Sequence, residues 1–228
     1  LGVGVTAEIN DGILACRTPS SGNNYVHRWD DTTSAWIAIT TSGSPTMTGV
    51  ARVRFTNFNF TSSKTVLTDG INPAAIYDGT TYTPITHAQA PSAPSYATGF
   101  KNHMFLAGDP TSKNKLFFSA PLVEGDFAPG NGAGVIQVGF DIVAIKPFRD
   151  TLYIFGKTEI KRLQGTSSAD FALEAVTHEL GCIAPDSVVE IGGDLIFLSQ
   201  DGFRPVSGTN RIGDVELETI SKDIQSLF

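Results

Sequence analysis

Short apolar runs recur along the chain, set apart by turn-forming residues rather than by the polar faces of helices. The pattern is clearest near the C-terminus. One unit reads Ile142–Phe148, Leu152–Phe155, Glu159–Leu163 and Phe171–Val176. The next reads Ser187–Ile191, Asp194–Leu198, Phe203–Val206 and Val215–Ile220. Between runs stand Arg149-Asp150, Gly192-Gly193 and Asp201-Gly202, residue types that tight hairpins demand. No segment sustains a helical period.

The same cadence extends toward the N-terminus. Tyr96–Phe100, His103–Ala107, Lys115–Ser119 and Val135–Val138 form one unit. Ala51–Phe55, Thr65–Thr68, Ala74–Tyr77 and Thr81–Ile85 form another, and Gly4–Ile9, Ile13–Cys16, Tyr25–Trp29 and Ala35–Ile39 a third. Second runs begin near positions 13, 65, 103, 152 and 194, a spacing of about 45 residues, which is the length of a four-stranded propeller blade. Leu152-Tyr153-Ile154-Phe155 and Leu195-Ile196-Phe197-Leu198 are apolar on both faces, so each needs a neighbour on either side. The expectation is an all-β chain: a β-propeller of about five blades in one domain, 1–228, or part of a six-bladed ring. Approximate blades are 1–41, 46–89, 95–140, 141–184 and 185–221, with loop-like junctions at Ser42-Gly43-Ser44-Pro45 and Ala90-Pro91-Ser92-Ala93-Pro94. A β-sandwich or barrel is the rival arrangement.

Composition agrees with this reading. The chain has 228 residues, 41% of them hydrophobic and 17% charged, with 23 Gly, 12 Pro and 15 Phe. Turn formers beside β-formers favour sheets, and the apolar share is enough for a core. The net charge of −7 gives no basic footprint for wrapping nucleic acid, though it suits a surface that DNA slides past. Cys16 and Cys182 read as two reduced cysteines. No run is long and apolar enough for a transmembrane helix, and no signal peptide is visible. The chain opens on Leu1 and closes just after the helix-like phrase Ser221–Gln225, so both ends read as cut from something longer.

Candidate chemistry is sparse. His27, His87, His103 and His178 show no metal-ligand spacing, and neither a nucleophile elbow nor a P-loop occurs. Gly130-Asn131-Gly132-Ala133-Gly134 opens no helix and reads as a mobile loop rather than a phosphate cradle. Asp69, Asp78, Asp150, Asp194 and Asp201 are the carboxylates a propeller glycosidase would draw on. Their places beside Gly or between strands fit turn geometry better. Asn59-Phe60-Thr61 matches a glycosylation acceptor, a pattern common by chance. Trp29 and Trp36 flank the polar turn Asp30–Ser34; they read as a cross-strand pair or, with Tyr82, as a sugar-stacking platform. No catalytic residue, cofactor site or metal site is expected, and the chain is read as no enzyme.

A family resemblance enters through longer phrases. Asn114–Pro121, Glu124-Gly125-Asp126-Phe127, Ile142–Asp150, Leu152–Phe155 and Ile160–Gly165 follow one another in order, then Gly181–Val188 and Phe197–Gly202. Across about residues 95 to 225, their order and spacing resemble the tail-nozzle and packaged-DNA stabilisation proteins of short-tailed bacteriophages. The resemblance implies a virion protein of the tail, assembled in the host cytoplasm as a ring of copies of itself, commonly a hexamer, around the DNA exit channel. It implies portal, adaptor and tail proteins as partners and DNA that passes without specific binding, and it brings no catalytic residues. The alternative expectation is a carbohydrate- or receptor-binding propeller, with a propeller glycosidase as the third.

Overall fold

The computed structural model describes residues 13–17, 25–39, 48–49 and 51–209. The expected strands Gly4–Ile9 and Val215–Ile220, the junction Ser42–Pro45 and the phrase Ser221–Gln225 lie outside the described residues. The described chain is built from antiparallel strands in five consecutive sheets. The first holds β1 (Leu14–Arg17), β2 (Tyr25–Asp30) and β3 (Ala35–Ala38). The second holds β4 (Arg54–Asn59), β5 (Ser63–Thr68), β6 (Ala75–Tyr77) and β7 (Tyr82–Pro84). The third holds β8 (Tyr96–Phe100), β9 (His103–Ala107), β10 (Lys115–Phe118) and β11 (Gly134–Gln137). The fourth holds β12 (Ala144–Phe148), β13 (Thr151–Phe155), β14 (Ile160–Gln164) and β15 (Ala172–Thr177). The fifth holds β16 (Val189–Ile191), β17 (Asp194–Ser199) and β18 (Gly202–Pro205). In every sheet the strands pair in chain order as a meander.

Hairpin chemistry sets the registers. The β16–β17 turn places Gly192 and Gly193 at φ of 61° and 81°, the left-handed pair a two-residue loop requires. Lys101 and Asn102 take the same region between β8 and β9, at 47° and 64°, without glycine's freedom. One expected boundary moves. The first strand of the second sheet runs over Arg54–Asn59, not Ala51–Phe55. Its polar letters read as loop, but Asn57 accepts a hydrogen bond from Thr65 Oγ1 across the hairpin and Phe58 is buried.

The chain divides into two compact units, Leu1–Ser112 with Leu116–Ile136, and Lys113–Lys115 with Gln137–Phe228. In the first unit, period-two alternation sends neighbouring side chains to opposite faces. Leu67, Ala75 and Tyr77 face the first sheet, packing with Leu14, Cys16 and Val26. Val66, Ala74 and Ile76 face the third, packing with Met104, Leu106 and Phe117. The second sheet is thus buried on both faces. The second and third sheets come closest at their first strands, where β4 lies beside β8. Gly99 of β8 makes this approach feasible, since a Cβ there would sit 3.2 Å from Phe58 Cβ. Arg54 stacks over the Tyr96 ring along the same seam, 5.1 Å from its centroid.

In the second unit, Tyr153, Phe155 and Ile160 of the fourth sheet pack against Leu195, Phe197 and Val188. The Phe155 and Phe197 rings lie 5.4 Å apart. Arg149, in the β12–β13 turn, stacks on Phe148 and donates to Gly193 O in the β16–β17 turn at 2.9 Å.

A two-bond device recurs at the inter-sheet linkers. One linker residue bonds the turn after the preceding second strand, and the next residue's N–H donates to the end of a following second strand. In the second unit Cys182 N donates to Gly156 O at 2.8 Å and Ile183 N to Leu198 O at 3.0 Å. Ile142 N likewise donates to Lys113 O at 2.9 Å and Val143 N to Phe155 O at 2.7 Å. In the first unit Ser95 N donates to Ala107 O at 3.0 Å, while its neighbour Pro94 has no N–H to give. The polarity reverses there, and Gly70 N donates to Pro94 O at 3.0 Å. Gly181 is required by the same geometry, because a Cβ would lie 2.3 Å from Gly156 O.

Candidate functional site

Trp29 and Trp36 are direct partners across β2 and β3. Their rings meet edge to face, with centroids 5.5 Å apart and planes at 69°. The turn between them is organised by carboxylates. Asp30 accepts from Thr33 Oγ1 at 2.7 Å and Thr32 N at 3.3 Å, and Asp31 accepts from Trp29 Nε1 at 2.8 Å. The hydrogen bond from Thr33 holds the Asp30 carboxyl below the usual range. Trp36 is 45% exposed and Trp29 half-buried.

Tyr82 does not join them. It is buried on β7, packed with Leu14, Cys16 and Val26. Alternation places Val26 and Trp29 on opposite faces of β2, so Tyr82 lies across the first sheet from the indoles. Burial drives its phenol pKa upward, with Asp69 and Cys16 adding to the effect. A three-ring platform is therefore corrected to a tryptophan pair.

The aspartates bond locally. Asp69 accepts from Ile71 N, Asn72 N and Asn72 Nδ2. Asp78 accepts from Thr80 N and Thr81 N. Asp194 accepts from Leu195 N and from Ser207. Asp201 pairs with Arg204, whose Nε donates at 2.8 Å, and Asp150 sits in the β12–β13 turn. The Arg204 hydrogen bonds hold Asp201 below its usual range. Asp69, Asp78 and Asp201 thus bond to groups two or three residues along the chain, as turn aspartates do.

The remaining candidates also find structural partners. His103 is buried, its Nδ1 2.5 Å from Ser119 O, among the rings of Phe105 and Phe118. His178 lies 3.3 Å from Glu159, and His87 lies 3.8 Å from Asp126. His27 is half-buried in β2. Cys16 and Cys182 are free thiols, both buried. Burial pushes the Cys16 pKa up to about 11, helped by Asp69. Beside the glycine-rich loop, Asp126 accepts from Ala128 N at 2.8 Å and Asn131 Nδ2 at 2.6 Å. Among the described residues, no group of three or more His, Cys, Asp and Glu could hold a metal ion, and no helix is long and apolar enough to cross a membrane.

Two features escaped the sequence reading. Asp109, 1% exposed, accepts from Ser92 Oγ, Ala93 N, Thr111 N and Thr111 Oγ1, and so pins the linker of the first unit. The phrase Gly108-Asp109-Pro110 signals a turn, but nothing in it signals burial. Lys64 and Glu124 form a largely buried ion pair 60 residues apart, a separation that local pattern cannot bridge. Set beside known proteins, the chain matches no family model, and no curated protein matches it in sequence.

Proposed function

We propose that this chain is a structural β-propeller of a short phage tail, a nozzle component that helps form a ring around the DNA exit channel, retaining packaged DNA and passing it on ejection. The carrying observation is the repeated construction. Consecutive meanders stack face to face inside each unit, and two linkers use the same pair of backbone bonds while a third keeps both positions with one bond reversed. Interior packing of this kind resists deformation, a property suited to a wall. Closure of the repeat into a propeller, ring assembly and DNA passage all belong to this proposal.

The test is mass spectrometry and single-particle imaging of purified virions that encode the chain. The expected result is stoichiometric presence in the tail, with blade-shaped density around the channel. Its absence from purified particles would sink the proposal.

A second reading follows from the exposed indole of Trp36: a carbohydrate- or receptor-binding propeller. Sugars stack on exposed aromatic faces, and a single edge-to-face pair can supply one such face. Reproducible signal on a glycan array, abolished by Trp36→Ala, would favour this reading; a blank array would remove it.

A further inference from the structure

Asn131 closes the short 3-10 turn Pro129–Asn131 in the loop between β10 and β11. Of the chain's asparagines it alone precedes a glycine. That pairing invites a reaction within the chain itself. The Gly132 nitrogen and the Asn131 side-chain carbon Cγ belong to one short covalent stretch, so a bond between them closes a small, unstrained ring. Groups tethered in this way react at a high effective concentration once they meet. Glycine also places no Cβ beside the attacking nitrogen.

The folded turn holds both groups in other contacts. Asn131 Nδ2 donates to Asp126 Oδ2 at 2.6 Å, and Gly132 N donates to Pro129 O at 3.1 Å. Asp126 is the centre of this clasp. It also accepts from Ala128 N at 2.8 Å, and its Oδ1 lies 3.8 Å from His87 Nε2. The clasp nonetheless sits on a surface turn, with Pro129, Gly130 and Asn131 all exposed. Solvent-exposed hydrogen bonds in loops belong to the parts of a fold that open at low free-energy cost.

We infer that Asn131 is a self-modification site, converted without an enzyme to aspartate and isoaspartate, and that the Asp126 clasp sets the rate. Gly132 N gives up its proton to solvent base and bonds to Asn131 Cγ. The Cγ–Nδ2 bond breaks, and that nitrogen takes up protons from water and leaves as ammonia. Water then opens the resulting succinimide at either carbonyl, leaving aspartate from one opening and isoaspartate from the other. Only water is consumed, and the loss of ammonia makes the change one-way. The product then acts on the fold. A carboxylate at 131 has no N–H for Asp126, so two like charges face each other where a donor met an acceptor. Isoaspartate also reroutes the backbone through the side-chain carbon and displaces Gly132 N from Pro129 O. The segment leads into β11, an edge strand of the third sheet, so a loosened turn is expected to loosen that edge.

The test is a time course on the full chain in mildly alkaline buffer, followed by peptide mapping with mass spectrometry that separates asparagine, aspartate and isoaspartate forms. Asn131 is expected to convert faster than Asn57, Asn59, Asn72, Asn102 and Asn114, with isoaspartate among its products. Asp126→Ala is expected to speed conversion about fivefold, the factor one lost hydrogen bond represents. Asn131→Asp, a stand-in for one product, is expected to raise amide hydrogen exchange from Asp126 through Gln137. A folded wild-type chain whose Asn131 stays intact while the urea-unfolded chain converts would overturn the site. Conversion of Asp126→Ala at the wild-type rate would overturn the clasp's role, and unchanged exchange in Asn131→Asp the effect on β11. Circular dichroism checks the folding of each variant; Asp126→Asn replaces Asp126→Ala if needed, and the deamidated wild-type chain itself replaces Asn131→Asp.

Discussion

Asp109 shows how one side chain can hold a linker. Burial pushes its pKa up, but the hydroxyl and amide of Thr111, the amide of Ala93 and the hydroxyl of Ser92 together hold it below the ordinary range. Its folded value therefore lies under the unfolded value of about 3.9. Its contribution to stability is complete above that unfolded value and is lost as pH falls through the folded one. Asp109→Asn keeps the shape but removes charge and acceptor capacity, at an expected cost of about 1–3 kcal/mol near neutral pH. Urea midpoints measured from pH 7 downward should show the gap between wild type and variant closing below about pH 4. A gap that persists unchanged into acid would show that the carboxylate's charge is not what holds the linker.

At the level of strands, face matters more than hydrophobicity. Phe197 and Ile196 are adjacent and both apolar, yet Phe197 is fully buried against Phe155 while Ile196 is half-buried. Phe197→Ala is expected to cost about 3–5 kcal/mol in chemical denaturation, and Ile196→Ala clearly less. Equal losses would mean that both faces are packed alike. Gly99→Val should cost about 1–3 kcal/mol, because the new side chain meets Phe58 Cβ and the Phe60 ring. Gly125→Ala, with nothing within 4 Å of the added Cβ, is the control and should leave the melting temperature nearly unchanged. These residues also mark what the sequence made legible. Alternating apolar runs and turn letters place the described strands of the third and fourth sheets to within a residue or two. Strand β4 was displaced because Thr56, Asn57 and Asn59 look like loop until their cross-strand partners are known. Leu195–Leu198 reads as apolar on both faces, but letters alone cannot say that Leu195 and Phe197 are the pair packed into the core shared with the fourth sheet. The tryptophans were visible as a pair because a short polar turn separates them, whereas Tyr82 looked accessible because its burial depends on the first sheet packing over it.

For the whole molecule, charge is what separates a passive wall from a nucleic-acid-binding surface. The chain carries 23 acidic and 16 basic residues, a net −7. Proteins that grip DNA neutralise phosphates with Lys and Arg and release counterions, so their affinity falls steeply as salt rises. A wall past which DNA must slide needs the opposite: no adhesion that would stall ejection. The chain's acidic balance repels phosphate at long range, most strongly at low ionic strength, where screening is weakest. The full chain is therefore expected to leave the gel mobility of duplex DNA unchanged at about 50 mM salt, a condition that magnifies phosphate contacts. Retardation at that salt, relieved on raising it to about 200 mM, would reveal a local basic surface outweighing the net charge. It would also turn the proposed passive guidance into active retention, since a surface that binds phosphates holds DNA by adhesion whereas a repelling one confines it by shape alone.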